Sequence, residues 1–437
     1  MTGGKSAATE AICPVELGPG RVRYAQGVRA GRWAFVTGCM AQDYGRGMAD
    51  EVIAARAPHA GLPKREKEAA LIFDHMDRVL RAAGTGLSNL VRTDQYYTTV
   101  KAVPAFQTVR RRSLGRLIPP STSVAMNGFV LPGADICVQG IAAIPEDGFA
   151  PVHLSDERLR TRESSGYSPA LTAGDFIFLP GILAMAQPDE PARNGIAAAA
   201  LMPEGAQWGG QPIKLETEFI IARRIVPSLA LAGAGLADVV KAQVYLTDPG
   251  DCSAFNEVWT RHFGSAGPAL SVIPCRERGL AAADARIEIN VIAVKPGSRT
   301  PKEHIDAGIF PGFRDQPQAV RAGDLLFLSG LMAIDEGGLL NEVAADPRQP
   351  WFGTGAAAQA EAIIANAATL CAAAGTSIAN VVRVQLFLTD MADFHPVYKA
   401  WERALGGAPL PFAAVEVPGP LPVPGATVLM DIWAYVP

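Results

Sequence analysis

The sequence predicts an α+β protein built from three tandem copies of one ββαβαββ unit. Three observations carry that expectation. A glycine-bounded apolar run occurs three times: GRWAFVTGCMAQD from Gly31, GDFIFLPGILAMAQ from Gly174 and GDLLFLSGLMAID from Gly323. Its second glycine recurs as Gly38, Gly181 and Gly330, at spacings of 143 and 149 residues. Such a period is that of a domain, not of a solenoid repeat. Other landmarks keep step. NLVRTDQYYTTV, DVVKAQVYLTD and NVVRVQLFLTD, from Asn89, Asp238 and Asn380, align position for position. Each copy then closes on an apolar run, from Ala134, Ala285 and Thr427. The units divide the chain as 1–150, 151–300 and 301–437.

Taken in order, residues 1–20 read as a loose lead-in, followed by a strand to Gln26. The signature run comes next, its aromatic and branched residues too short for a globular helix and suited to a buried strand. A glycine ending such a strand lets another backbone or a ligand approach closely. KREKEAALIFDHMDRVLRAAG is an amphipathic helix: Leu71, Ile72, Met76, Val79 and Leu80 share one face, and Gly84 ends it. The Asn89 strand, a second helix from Ala102 to Gly115 and two closing strands complete the unit. The second unit gives LETEFIIARRIVPSLALAG and DCSAFNEVWTRHFG as its helices; the third gives AAAQAEAIIANAATLCAAAG and DFHPVYKAWERALG. Helices on one sheet face define the α+β class. Joints rich in Pro, Gly and Asp near 146–165 and 296–316 read as linkers.

Composition bounds the function. The chain has 437 residues, is 49% hydrophobic and carries a formal net charge of −4, which leaves no electrostatic footprint for nucleic acid. Its first twenty residues lack the pattern of a signal peptide, and no apolar run reaches the ~18 residues of a membrane span. Six cysteines without CxxC or CxxH spacing read as reduced thiols in a cytoplasmic protein. His75, His262 and His395 lie in helices without ligand spacing. No GxSxG, Walker A or HExxH motif is present. Neither a metal nor an organic cofactor is expected.

The signature strand, the VVK/R-x-x-(V/L)-(Y/F)-L-T-D strand, the helix from Phe255 to Gly264 and the IEINVIAV ending (Ile287 to Val294) resemble the RidA/YjgF family. The resemblance covers the whole chain three times. It implies RidA-like (chorismate-mutase-like) domains, and a homotrimeric arrangement with a ligand cleft at each interface. Three fused copies then imply an internal pseudo-trimer with three unequal clefts and room for further self-association.

The resemblance also implies the pocket positions. The family's early aromatic falls on Tyr24, Tyr167 and Gln316, and its signature serine on Thr37, Pro180 and Ser329. The second-helix asparagine falls on Gln107, Asn256 and Tyr398; the last-strand glutamate falls on Cys137, Glu288 and Leu429. The family's carboxylate-pairing arginine is replaced by Ser121, Leu270 and Phe412, so no cleft keeps it. Serine, leucine and phenylalanine cannot form a bidentate guanidinium–carboxylate pair.

Candidate chemistry concentrates in two units. Glu288 is the acid/base candidate, beside Asn256, Tyr167 and Gly181, because a carboxyl in a partly apolar cleft has its pKa raised toward neutrality. The first unit offers Cys137 as a nucleophile, with Tyr24, Thr37, Gly38, Cys39, Gln107, Ser121 and Ser123 around a bound substrate. The plainer reading makes both thiols small buried apolar groups. Ser329 and Gly330 mark the third cleft. Arg276 and Arg278 offer a displaced cation or a loop ion pair. Lys241, Arg92 and Arg383, at one equivalent position in all three units, read as structural. The expected function is hydrolysis or deamination of a small C=N or amide-type nitrogen compound. Alternatives are a ring-opening amidohydrolase of the cyanuric acid hydrolase/barbiturase type, built on repeated serine and lysine, and a non-catalytic ligand-binding protein.

Overall fold

A computed structural model describes residues 8–53, 63–146, 148–159, 166–206, 208, 211–313, 315–344, 348 and 355–437. Three mixed sheets carry it. The first runs, edge to edge, Thr9–Leu17, Val22–Ala30, Trp33–Cys39, Ile136–Ala143, Leu90–Tyr97, Ser121–Ala125. The second runs Pro151–Leu154, Ala170–Ala173, Phe176–Phe178, Ile287–Val294, Val239–Leu246, Ala269–Pro274. The third repeats the order with Lys302–Ile305, Ala319–Ala322, Leu325–Leu328, Val428–Tyr435, Val381–Leu388 and Phe412–Glu416. Gly128–Phe129 of the first unit adds a seventh strand at its far edge. In each sheet only the last two strands of that shared order are parallel. A parallel pair needs a crossover, which the second helix of each unit supplies: Val103–Leu114, Cys252–Phe263 and Phe394–Ala404.

The described parts of the lead-in and of both linkers contain strands that the sequence reading lacks. Thr9–Leu17 pairs antiparallel with Val22–Ala30, while Pro151–Leu154 and Lys302–Ile305 repeat that edge strand inside the supposed joints. Charged and proline-containing edge strands carry weak apolar periodicity, which hid them. The third unit's first helix, Ala356–Ala373, also amends the expectation about membrane spans: by length and composition alone it is apolar enough to cross one. Here it lays Ile363, Ile364 and Leu370 into a core shared with Leu326, Leu386 and Met430.

On their second helices the three units diverge little, but the first helices differ. Lys64–Ala82 and Ala356–Ala373 are continuous α-helices. The corresponding segment of the second unit breaks into Gln211–Ile220, a π-helical turn Ile221–Ile225, and Val226–Ala230.

The three central strands meet through side chains at equivalent positions. Asp94 accepts Arg92 Nη2 at 2.9 Å and is also bound by Arg383. Arg92 Nη2 donates to Gln243 Oε1 at 2.5 Å, and Gln243 Nε2 to Gln385 Oε1 at 2.5 Å. Lys241 Nζ lies 2.6 Å from Asp431 and donates to Ser271 Oγ at 2.9 Å. One layer away, the Tyr96 and Tyr245 hydroxyls are 2.9 Å apart and Phe387 packs edge-on against Tyr96. All these side chains are buried. The expected structural role of Arg92, Lys241 and Arg383 thus has a physical basis, since an unpaired buried charge is costly and here Arg92 and Arg383 share Asp94 while Lys241 pairs with Asp431. Burial would push the Asp94 carboxyl up, but the Arg92 and Arg383 guanidiniums outweigh it and hold the pKa below the ordinary value.

Candidate functional site

The second glycine of each signature marks where another unit's backbone arrives. Gly181 N–H donates to Ser121 O at 3.1 Å, and Gly330 N–H to Leu270 O at 2.9 Å. A Cβ on Gly38 would lie 2.8 Å from Ala413 Cα. The close-approach reading of these glycines therefore fits their surroundings. The three junctions differ in what fills them.

Between the first and second sheets lies a cavity of about 350 Å³. Gln107, Arg110, Ser121 and Ser123 reach it from the first unit, Tyr167, Gly181 and Glu288 from the second. The helix Val103–Leu114 and the strand Ser121–Ala125 are consecutive across the crossover, so their side chains face each other. Arg110 Nη1 donates to Ser121 Oγ at 3.0 Å. Ser123 Oγ donates to Gln95 Oε1 at 2.7 Å, the acceptor also of the Tyr97 hydroxyl at 3.3 Å. Apolar walls come from residues such as Val103, Leu183, Met185 and Leu280, and the half-exposed Val100 sits at the rim.

Among the described residues, Glu288 is the one carboxyl on this lining, it is buried, and its Oε2 has no hydrogen-bond partner. Burial pushes its pKa up to about 8; the Ser123 backbone N–H pulls it down and Asp94 adds to the rise. No basic side chain is among those causes. The group is therefore a neutral acid at pH 7 that exchanges its proton near physiological pH.

The junction of the third and first units is filled. Tyr24 donates to Gly38 O at 3.0 Å, Thr37 Oγ1 donates to the Tyr24 hydroxyl at 2.8 Å, and Phe412 packs edge-on against Tyr24 at 5.0 Å. At the junction of the second and third units, Ser329 Oγ accepts Leu270 N–H at 3.1 Å and donates to Pro317 O at 2.6 Å. Leu429 lies 3.2 Å from a Cβ placed on Gly330. Gln316 there is buried with neither amide atom partnered, and Asn256 Oδ1 on the neighbouring helix is likewise unpartnered.

The candidate residues thus separate. Glu288, Tyr167, Gly181, Gln107, Ser121 and Ser123 converge on one cavity; Asn256 does not line it, nor do Tyr24, Thr37, Gly38, Cys39, Cys137, Ser329 and Gly330. Cys137 and Cys39 are buried in core clusters, and burial pushes Cys39 up to about 12 and Cys137 higher still. Neither thiol is a thiolate at neutral pH, so the plainer reading of both fits the geometry. Arg276 Nη1 donates to Thr98 O at 2.7 Å and Arg278 approaches Asp284 at 3.8 Å, both outside the lining. Among the described residues no group of His, Cys, Asp and Glu is arranged to hold a metal.

Two cavity residues escaped the sequence reading. Arg110 stands where the aligned helices have Trp259 and Trp401, a contrast legible in the sequence. Arg224 lies in the π-helical turn, donates to Met185 O at 3.0 Å and is ion-paired with Glu190. Its signal is a count. The strand-capping Glu68, Glu216 and Gln359 precede the helix-ending Gly84, Gly233 and Gly375 by 16, 17 and 16 residues. The second unit has one residue more, and a π turn absorbs such an insertion.

Comparison with known proteins agrees with the sequence resemblance over the second and third units. The family model described as Endoribonuclease L-PSP matches residues 159–295 and 316–436, together more than half of the chain. A RutC family protein of Pyrococcus abyssi is 34% identical over 129 residues, 30% of this chain and 86% of its own length. Reactive Intermediate Deaminase A, chloroplastic, of Arabidopsis thaliana is 28% identical over 127 residues, 29% of this chain and 57% of that protein. The crystal structure of a putative endoribonuclease from Thermotoga maritima aligns over 33% of this chain and 99% of its own, with 25% identity and a TM-score of 0.27. With its α+β sheets and two matched regions, the chain belongs to the endoribonuclease L-PSP family, that of RidA and YjgF.

Proposed function

We propose that the chain is a hydrolase or deaminase of a small C=N or amide-type compound, working in the cavity between its first two units. Glu288 is the proton carrier. The observation that carries this reading is a buried carboxyl with an unpartnered oxygen on the wall of a ligand-sized cavity. The name of the Arabidopsis relative, a reactive intermediate deaminase, favours the C=N side. In the same reading the units 1–150, 151–300 and 301–437 form an internal pseudo-trimer whose other two clefts are structural. The equal strand orders and the equivalent glycine contacts favour that arrangement.

The chemistry balances without a cofactor. Glu288 as the acid protonates the imine nitrogen, and water adds to the carbon. The resulting carboxylate takes one proton from the added water and passes it to the nitrogen, then takes the remaining hydroxyl proton as the C–N bond breaks and ammonia leaves. An imine and one water thus become a carbonyl and ammonia, with Glu288 protonated again. An amidohydrolase built on repeated Ser/Lys pairs is not favoured: Lys241 reaches Ser271 but is bound to Asp431, and the lysine position elsewhere is Arg92 or Arg383.

The test is ammonia release from imines generated in situ by an amino-acid oxidase acting on aliphatic and aromatic amino acids. Acceleration by the wild type and not by Glu288→Gln supports the reading. Equal rates for wild type, Glu288→Gln and buffer would sink it and leave a binding protein.

A further inference from the structure

We infer that the buried polar layer where the three sheets meet binds one small monovalent anion of the halide class, held by the guanidiniums of Arg92 and Arg383.

The charges of the layer do not balance. It holds three cations, Arg92, Lys241 and Arg383, against two carboxylates, Asp94 and Asp431. None of these side chains is more than 3% exposed. Lys241 is an ammonium by its geometry. Its Nζ has three acceptors, one for each N–H: Asp431 at 2.6 Å, Leu328 O at 2.7 Å and Ser271 Oγ at 2.9 Å. The arginines keep their protons in any protein environment. Against the upward push of burial, Arg92 and Arg383 hold Asp94 below its ordinary pKa, and Lys241 and Arg383 do the same for Asp431. One positive charge is left over. Glu288 does not cancel it, because burial keeps that carboxyl protonated at pH 7 and the charged side chain acting on it is Asp94.

The hydrogen bonds show the same surplus in the same place. Asp94 accepts from Arg92 Nε and Nη2 and from Arg383 Nη2. Arg92 Nη1 and Arg383 Nε and Nη1 are then buried with no partner. Gln139, whose Oε1 accepts from Arg383 Nη2 at 2.9 Å, has an unpartnered donor of its own in Nε2. Both guanidiniums lie over the Trp433 ring, Arg383 at 4.6 Å and Arg92 at 5.9 Å from its centroid. The unpartnered N–H groups therefore share one neighbourhood.

The surplus also sets the ligand. Water accepts such hydrogen bonds but leaves the charge standing, and an uncompensated buried charge is strongly destabilising. Along the strands the layer runs from Trp433, packed edge-on against Phe327 at 4.8 Å, to the paired hydroxyls of Tyr96 and Tyr245. All of these rings are buried, so solvent ions do not screen the site. A divalent oxyanion would overshoot the charge, and an organic anion would have to displace the rings. A halide matches both the charge and the donors.

The test is equilibrium unfolding of the full chain in urea, an uncharged denaturant, with sodium chloride exchanged for sodium gluconate at constant ionic strength. Curves are started from folded and from unfolded protein, so that the ion equilibrates. One ion bound to the folded state alone lowers the unfolding constant about tenfold for each tenfold rise in chloride above its Kd. Arg383→Gln removes the surplus charge and should lose that dependence, while the exposed-loop control Arg276→Ala should keep it. Where Arg383→Gln does not fold, crystals of the wild type refolded in sodium bromide decide. An anomalous bromide peak beside the Arg92 and Arg383 guanidiniums supports the inference. Unfolding that ignores chloride, an equal chloride dependence in a folded Arg383→Gln, or bromide peaks on the protein surface only would overturn it.

Discussion

The carboxyl of Glu288 occupies the space that a side chain at Gly181 would need. A Cβ built on Gly181 meets Glu288 Oε1 at 1.8 Å and its Cδ at 2.7 Å. The signature glycine of the second unit thus serves two contacts at once: its N–H meets Ser121 O, and its bare α-carbon admits the acid. Gly181→Ala is expected to push the carboxyl off its seat while the strand pairing holds. Turnover should fall by ~10²–10⁴-fold, the usual contribution of a general acid/base. Steady-state rates measured beside a thermal melt check this; a folded Gly181→Ala with wild-type turnover refutes it.

Glu288 also predicts a pH profile. Its folded pKa, pushed up to about 8 from 4.5, means the native state binds the proton more tightly than the unfolded chain does. Between those values the native state holds more protons, so this group's contribution to stability declines as pH rises and the loss is complete above about 8. Glu216, pushed by burial up to about 7, adds a loss of the same sign over a narrower window. Activity that needs the neutral acid should fall above about pH 8. Glu288→Gln should flatten the upper part of the stability curve by a few kcal/mol, on the order expected for a shift of this kind. Unfolding curves from pH 5 to 9 for both proteins test it, and parallel curves would rule it out.

At the meeting of the three sheets, one carboxylate serves two guanidiniums. Asp94→Asn leaves Arg92 and Arg383 buried without their counter-charge. Breaking a buried pair from one side costs ~3–5 kcal/mol. Denaturant unfolding should register that loss even though the residue lies outside the cavity lining. A change below ~1 kcal/mol would mean that water relieves the charges.

Much of this was legible in the sequence because its landmarks recur three times, and three sheets of one strand order carry them. The threefold recurrence at positions 92, 241 and 383 marked structural residues, and their side chains do form the central network. The Glu288, Tyr167, Ser121 and Ser123 positions followed from the family resemblance and share a cavity. Edge strands stayed hidden because their residues are too polar for a periodic signal. Arg110 stayed hidden because it lies on the helix, one element away from the strand position that Ser121, Leu270 and Phe412 mark. Arg224 required counting residues between two landmarks, and only the π turn gave that count a physical meaning. For the cysteines the sequence leaves both readings open, because thiol reactivity depends on burial and neighbouring charge, which residue type alone does not give.

The last prediction separates the filled junction from the open one. Phe412 packs against Tyr24 at 5.0 Å and Phe394 at 5.2 Å, and it is 2% exposed. Removing a buried aromatic ring costs ~3–5 kcal/mol through lost transfer energy and the cavity left behind. Phe412→Ala should therefore lower the melting temperature clearly, because the Tyr24 and Phe394 rings lose their shared partner. Its effect on turnover should be slight, since neither Phe412 nor Tyr24 touches the cavity holding Glu288 and Arg110. Glu288→Gln should do the reverse, melting no lower than the wild type and losing the rate. Melting and turnover measured on both variants at a temperature where each is folded give the comparison. If Phe412→Ala abolishes turnover while fully folded, the chemistry lies at the junction of the third and first units, and the assignment to the first cavity fails.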